Sequence, residues 1–395
     1  MQPIQAARRT DGVRYAIRDV VMKAREHAEN GMDMLYLNIG DPIQFGFKTP
    51  PHLIKAIADA MNAGQTGYCP SEGTAEAIDA VTREAGRKGI NTPHHVYVTT
   101  GASEAIELAM SALLDAGDEL LVPSPGYPLY TALLSKLSAV GVPYALDEAN
   151  GWQPNVEDMA RLITPRTKGI VVINPNNPTG SITGVQTLDA IVELARAHNL
   201  LLLSDEIYDK LTLDGSTLTS LAARAKDHPC VTFGGIAKCY LSPGLRVGWG
   251  VISGNPDHLS DYADAVGRLE RVRLCSSYPA QAAVAAALDG PQDHIATMCA
   301  QLVSRRDRLM AGIDAMDGIS CVAPQGAFYA FARLNDGVDD NAFVMELMAD
   351  TGIVCVPGSG FGQAPGTAHL RFVVLPNEAI IDQAMERLSG FMASR

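Results

Sequence analysis

Four positions have the residue types and spacing of a reactive centre. Lys238 closes the run Gly235-Ile236-Ala237-Lys238, and Arg246 follows eight residues later. A lysine at the end of an apolar run either snorkels to water or serves chemistry, because burial and neighbouring cations lower its pKa and make it nucleophilic. Arg246 carries a planar fork that can grip a phosphate at two points. Upstream, the apolar run Leu200–Ser204 delivers Asp205-Glu206-Ile207-Tyr208. An acid there is costly to desolvate unless something cationic meets it. A metal ion is one candidate, though no His or Cys cluster accompanies it; a solvated loop acid is the plainer alternative.

Two further segments have the make-up of ligand loops. Thr100-Gly101-Ala102-Ser103-Glu104-Ala105-Ile106 follows one predicted strand and opens a helix. Small residues there let backbone N–H groups approach an anion, and the helix dipole favours a phosphate. The plainer alternative is an ordinary strand-to-helix turn capped by Ser103. Asn174-Pro175-Asn176-Asn177-Pro178-Thr179-Gly180 follows another strand. So many turn-formers can be only a loop, yet the carboxyl end of a buried strand is where open α/β sheets bind ligands.

The elements that must position these residues are legible as alternation. Val96–Thr100, Glu119–Pro123, Gly169–Asn174, Leu200–Ser204, Val231–Gly235 and Gly248–Ile252 are short leucine-rich or β-branched runs. Helical patterns such as Ser103–Leu114 and Thr187–His198 separate several of them. Strands alternating with helices predict an α/β fold, a mostly parallel sheet with helices on both faces. A helix is expected over Tyr15–Glu29 and another over His52–Met61. Pro256–Leu288 reads as strongly helical and His294–Met316 as a helix. Strands at Phe328–Ala332, Val354–Val356 and Leu370–Val374 and a final helix from Glu378 suggest a small α+β domain. With 395 residues, more than one hydrophobic core usually serves, the expectation is a large domain at 46–290. A smaller one would join the N-terminal segment 1–45 to residues 291–395.

Composition narrows the partners. With 31 lysines and arginines against 44 acidic residues, the net charge of −13 argues against nucleic acid or an anionic membrane as the main partner. The seven cysteines are scattered, odd in number and never C-x-x-C, the pattern of free thiols in a reducing compartment rather than of a disulfide framework or metal site. Neither a signal-peptide core nor a membrane-length apolar stretch occurs, so a cytoplasmic protein is expected.

Taken in order, the phosphate turn, the Asn-Pro loop, Asp-x-x-Tyr, Lys238 and Arg246 resemble the class I/II aminotransferases, pyridoxal-phosphate enzymes of fold type I. The resemblance runs from Tyr15-Ala16-Ile17-Arg18-Asp19 and Asn38-Ile39-Gly40-Asp41-Pro42 to the C-terminal region. Tyr68-x-x-Ser71-Glu72-Gly73, Trp152-Gln153-Pro154 and Pro324-Gln325-Gly326-Ala327-Phe328-Tyr329 are similar to the bacterial and archaeal alanine members. The resemblance implies that Lys238 bonds the aldehyde of pyridoxal 5′-phosphate and, once freed, acts as the base. It implies that Asp205 pairs with the pyridine nitrogen, and that Tyr208 and Asn177 hydrogen-bond the phenolic oxygen. Gly101, Ala102, Ser103 and Arg246 would hold the phosphate, with Tyr127 stacked on the ring. For substrate, Arg371 would clamp the α-carboxylate with help from Asn177, and Gly40 would offer a backbone contact. Tyr68 would reach the phosphate of a second subunit, implying a homodimer with shared sites.

One departure is expected to matter. Related enzymes usually carry a serine or threonine just before the lysine, whereas Gly235 and Ala237 lack a hydroxyl. Asn177-Pro178 and Ser124-Pro125 match positions where the family carries cis prolines. The resemblance implies an amino donor and an acceptor drawn from alanine, glutamate, pyruvate and 2-oxoglutarate. An aspartate or broad-specificity enzyme, a carbon–sulfur β-lyase on the same fold and a non-catalytic sensor are the alternatives. Arg14 and Arg18, near Tyr15, are candidates to meet a distal carboxylate; otherwise they form a solvated helix face.

Overall fold

The computed structural model describes residues 3–13 and 17–395. Among the described residues fourteen strands form three sheets. In chain order they are β1 Leu35–Tyr36, β2 Pro93–Thr99, β3 Glu119–Ser124, β4 Val140–Asp147, β5 Gln153–Pro154, β6 Thr167–Ile173 and β7 Leu201–Asp205. Then follow β8 Cys230–Gly235, β9 Gly248–Ser253, β10 Ile319–Cys321, β11 Tyr329–Leu334, β12 Ile353–Val354, β13 Val356–Pro357 and β14 His369–Val373.

The large sheet has the order β2-β9-β8-β7-β6-β3-β4-β5. From β8 to β4 every pairing is parallel, while β9 runs antiparallel to both β8 and β2. Side chains alternate between faces, as the strand period of two demands. Val171, Leu203, Val231 and Phe233 pack on one side with helices Ala102–Leu113, Pro128–Leu137 and Pro256–Val272. Ile170, Val172, Leu202 and Cys230 pack on the other with helices Ala75–Arg87, Val185–His198 and Tyr278–Asp289. All five residues of β7 are buried, so Asp205 ends a strand with no wet face. Each fully buried leucine there contributes roughly 1.5–3 kcal/mol, enough to fix the strand end.

A second, antiparallel sheet has the order β10-β11-β14-β13. Helices Asp293–Asp314 and Glu378–Ala393 pack together beside it. The short parallel pair β1–β12 ties Leu35 to Ile353 and Tyr36 to Val354, so the N-terminal segment joins the C-terminal part of the chain.

Several expectations change. The helical stretch Pro256–Leu288 divides into Pro256–Val272 and Tyr278–Asp289, with Leu274 between them at φ +73°. The expected strand Val354–Val356 is two: Val354 pairs with β1 and Val356 with β14. The first helix runs Ile17–Glu29 and stops before Gly31 at φ +88°; Arg14, Tyr15 and the side chain of Arg18 lie outside the described residues. Among the described residues no helix is long and apolar enough to cross a membrane.

Candidate active site

A cavity of about 300 Å³ opens at the carboxyl ends of β6, β7 and β8, lined also by the start of helix Ala102–Leu113 and by Arg371 of β14. That volume is at the lower end for a small-molecule site. Gly40, Ala102, Ser103, Tyr127, Asn177, Asp205, Tyr208, Lys238, Arg246 and Arg371 all line it. Tyr68 does not: its side chain stands on the surface, 83% exposed.

One end of the cavity is built for an anion. Gly101, at φ +80°, is the N-cap of helix Ala102–Leu113, and no side chain caps the first turn. Ser103 is therefore not the cap that the plainer reading supposes; it stands inside the first turn and, with Ala102, lines the cavity. A Cβ on Gly101 would lie 2.5 Å from Arg246 Nη2, and one on Gly248 would lie 2.2 Å from the Ala102 nitrogen. Only glycine at both places lets the guanidinium and the helix start meet. Uncapped amides, a helix dipole and an arginine together form an anion cradle.

The floor of the cavity carries Asp205, which is 3% exposed. Its oxygens accept from Tyr130 Oη at 3.2 Å and from the Ile207 amide at 3.3 Å. Among the described residues no cation forms an ion pair with it, and burial raises its pKa to about 6. Such a carboxylate suits a cationic ligand atom. No group of three His, Cys, Asp or Glu side chains among the described residues is placed to hold a metal.

Lys238 Nζ donates to the Gly40 carbonyl at 2.8 Å. Burial lowers its pKa to about 8; Arg371 and Arg246 push the same way, against Asp41 and Asp205. Ala237 lines the cavity beside it. The missing hydroxyl at Gly235 has a packing reason, since a Cβ there would lie 3.0 Å from the Val247 carbonyl and 3.2 Å from Gly248 Cα.

At the opposite end, Arg371 is buried on β14, an interior strand of the second sheet. Its Nη2 donates to the Asn38 carbonyl at 2.7 Å and its Nη1 to Asn177 Oδ1 at 3.3 Å. Tyr329 and Phe361 hold the guanidinium between their rings, at 4.8 Å and 4.7 Å. Tyr208 Oη is 2.9 Å from Tyr329 Oη, and burial drives the Tyr208 phenol well above its ordinary pKa. Gly40 is required because a Cβ would lie 2.4 Å from Tyr329 Oη. The expected cis bonds at Ser124-Pro125 and Asn177-Pro178 are present, with a third at Asn174-Pro175.

Anion cradle, buried carboxylate, depressed lysine and buried arginine thus share one space. The sequence profile of the aminotransferases of class I and II matches residues 32–388. The chain belongs to this family. The alanine aminotransferase of Mycobacterium tuberculosis is 42% identical, over 99% of this chain and 92% of its own length. The glutamate-pyruvate aminotransferase AlaA of Escherichia coli is 38% identical over 100% and 99% of the two chains. A solved alanine aminotransferase from Pyrococcus furiosus superimposes with a TM-score of 0.95 at 39% identity, covering 99% of this chain and 100% of the other. The aminotransferase accordingly has the fold type I architecture, an α/β protein with a mostly parallel central sheet.

Reading the sequence passed over several contributors to this aminotransferase site. Tyr130 supports Asp205 from a helix, Asn38 offers only its carbonyl, and Phe361 backs Arg371. None carries a chemical motif. Tyr329 stood within Ala327-Phe328-Tyr329, but the sequence alone gave it no role.

Proposed function

We propose that this aminotransferase uses pyridoxal 5′-phosphate to move an amino group between L-alanine and 2-oxoglutarate, giving pyruvate and glutamate. The observation that carries the reading is the meeting of Lys238, Asp205, Arg246 and Arg371 in one cavity of about 300 Å³. The residues fit the cofactor chemically. The uncapped helix start at Gly101, Ala102 and Ser103, with Arg246, suits its phosphate. Asp205, buried without a cation, suits its pyridinium nitrogen, and Tyr208 and Asn177 suit its phenolic oxygen. Tyr127 offers a ring to cover it. When bound, the cofactor supplies an electron sink for the charge left on a deprotonated α-carbon.

The chain's own residues do the rest. Arg371 holds the α-carboxylate in a planar fork, pre-aimed by Asn38, Asn177 and its two flanking rings. Lys238 Nζ, with a pKa of about 8, is neutral in a usable fraction near pH 7 and can take and return the α-proton. Asp205, with its pKa raised to about 6, is mostly but not fully ionised near pH 7, and a positive charge facing it favours the ionised form, which couples its charge to occupancy of the site.

The choice of alanine rests on the names of the relatives. Homodimerisation is supported by exposed Tyr68, Val272 and Leu274. Arg273 connects these segments through its 3.1 Å hydrogen bond to the Ser71 carbonyl. The division into a large domain at 46–290 and a smaller one from 1–45 and 291–395 belongs to this proposal, as does residence in the cytoplasm. The test is the first half-reaction with alanine, glutamate, aspartate and phenylalanine at equal concentration. Alanine is expected to lead; if aspartate or phenylalanine exceeds it by more than about tenfold in kcat/KM, roughly 1.4 kcal/mol, the alanine assignment fails and amino transfer stands. Release of pyruvate, ammonia and hydrogen sulfide from cysteine without an oxo acid would indicate a β-lyase instead.

A further inference from the structure

Behind the cavity, away from the cofactor side, lies a second group of charges that the proposed reaction does not use. The end of β7 and the turn after it divide their residues between two sides: Asp205, Ile207 and Tyr208 line the cavity, while Glu206 and Asp209 turn to the rear. Lys88, the C-cap of helix Ala75–Arg87, meets both. Its Nζ lies 2.7 Å from Glu206 Oε2 and 2.8 Å from Asp209 Oδ2. Glu206 is 1% exposed and its other oxygen accepts from Ser204 Oγ, Ser220 Oγ and the Leu221 amide. Neighbouring Glu84 is occupied by Lys210 at 2.6 Å and Arg87 at 2.7 Å. Asp209 Oδ1 also receives the thiol of Cys239 at 3.5 Å, and Cys239 is the residue after Lys238.

We infer that Lys88 is a positioning residue for the reaction: its partly buried ammonium pairs with both rear carboxylates beside Asp205 and Tyr208 and offsets their charge, and so keeps Asp205 ionised and the turn aimed at the cofactor. The inference rests on the functional reading above. Physically, Asp205 and Glu206 are consecutive acids in a dry setting, and the charge on Glu206 opposes ionisation of Asp205. Lys88 cancels that opposition from the far side without touching the site. Burial alone would discharge the lysine, but Asp209 and Glu206 outweigh it and raise its pKa, so it remains charged at every pH the enzyme meets. Burial likewise pushes Asp209 up, and the attraction of Lys88 and Lys210 brings it below its ordinary value.

The experiment compares full-length wild type with Lys88→Met, Lys88→Arg, Glu206→Gln and Lys88→Met/Glu206→Gln, each first checked for native circular dichroism. The probe is pyridoxal phosphate. Two readouts are taken: its affinity by tryptophan quenching, and the pH midpoint at which its bound absorbance changes. Lys88→Met should bind about tenfold more weakly and move the midpoint by about one unit, the scale of one uncompensated neighbouring charge. Adding Glu206→Gln removes that charge while Asp209 keeps Lys210, and should restore both values to within about threefold and a few tenths of a unit. Lys88→Arg should stay near wild type. The proposal is overturned if folded Lys88→Met behaves as wild type, or if the double variant is no better than Lys88→Met. Should Lys88→Met not fold, Glu206→Gln and the double variant decide: equal affinity supports the proposal, and a tenfold gap overturns it. Wild type that takes up no pyridoxal phosphate would defeat the functional reading itself, with this proposal.

Discussion

The two charged regions either side of the turn after β7 solve the burial problem in opposite ways. Behind the turn, Glu84, Glu206 and Asp209 each meet a lysine or arginine at 2.6–2.8 Å. In the cavity, among the described residues, Asp205 accepts from the Tyr130 hydroxyl and the Ile207 amide, both neutral, and Lys238 donates to the Gly40 carbonyl. The pKa values follow. Asp205 and Lys238 are both drawn toward neutrality, to about 6 and about 8. At the rear, pairing raises the pKa of Lys88 and lowers that of Asp209, so both are held charged. Burial next to a matched partner gives rigidity, whereas burial without one gives groups whose charge a ligand can change.

The largest effect that would sharpen this contrast is loss of Lys238. Lys238→Ala should lower kcat by at least about 10⁴-fold, since it removes both covalent attachment and the base. Pyridoxal phosphate should still bind, but borohydride should no longer fix it to the chain. Label retained at the wild-type level would place the attachment elsewhere.

Next comes Asp205→Asn, whose expected effects have opposite signs. Activity should fall by about 10²-fold or more, the scale of a lost electrostatic partner. The cofactor-free protein should become more stable at pH 7–8, by about 1–3 kcal/mol, because a buried uncompensated charge is gone. The pH dependence follows from the raised folded-state pKa, about 6 against 3.8. Between these values the folded state binds more protons than the unfolded. Stability from this proton is complete below about pH 4 and is lost as pH rises through 6. The gain in Asp205→Asn should therefore shrink to nothing in acid. Thermal melts of the cofactor-free proteins at pH 4.5 and 7.5 check it, and a gain of equal size at both would refute the burial argument.

The smallest change is Tyr329→Phe. It removes the hydroxyl 2.9 Å from Tyr208 Oη but keeps the ring beneath Arg371. A loss of about 3–10-fold in kcat/KM for alanine is expected, one neutral hydrogen bond of about 1 kcal/mol. No change would mean that the two phenols act independently.

How far the sequence predicts this arrangement depends on how strongly each element is buried. Val231–Gly235 and Leu200–Ser204 were legible because central parallel strands are apolar throughout. The strand β4 was not, since Val140, Gly141 and Pro143 are exposed and break the pattern. Helix Ala75–Arg87 was also passed over, although Ala77, Ala80, Val81 and Glu84 form its buried face. A glutamate on a core-facing stripe reads as a break unless its partner, Lys210, is known to be near. In the site, the residues with motifs were legible and those that act through backbone or packing were not. Asn38 contributes a carbonyl, which every residue possesses, and Tyr130 is indistinguishable from an ordinary core aromatic until Asp205 is seen above it. Tyr68 is a different case: in the single chain its side chain stands on the surface, away from the cavity, and only the resemblance gives it a role.

The hydrogen bond from Arg371 to Asn38 spans 333 residues, and that from Lys238 to Gly40 spans 198. During synthesis at about 5–20 residues per second, Asn38 would leave the ribosome roughly 20–70 s before its partner. The parallel strands β6, β7 and β8 can assemble in that interval, but the clamp cannot. On the proposed function, a nascent chain stalled short of Arg371 would hold the anion cradle and Lys238 but lack the arginine proposed to orient a substrate. Competence to bind the cofactor should be acquired on the ribosome earlier than competence to select an amino acid.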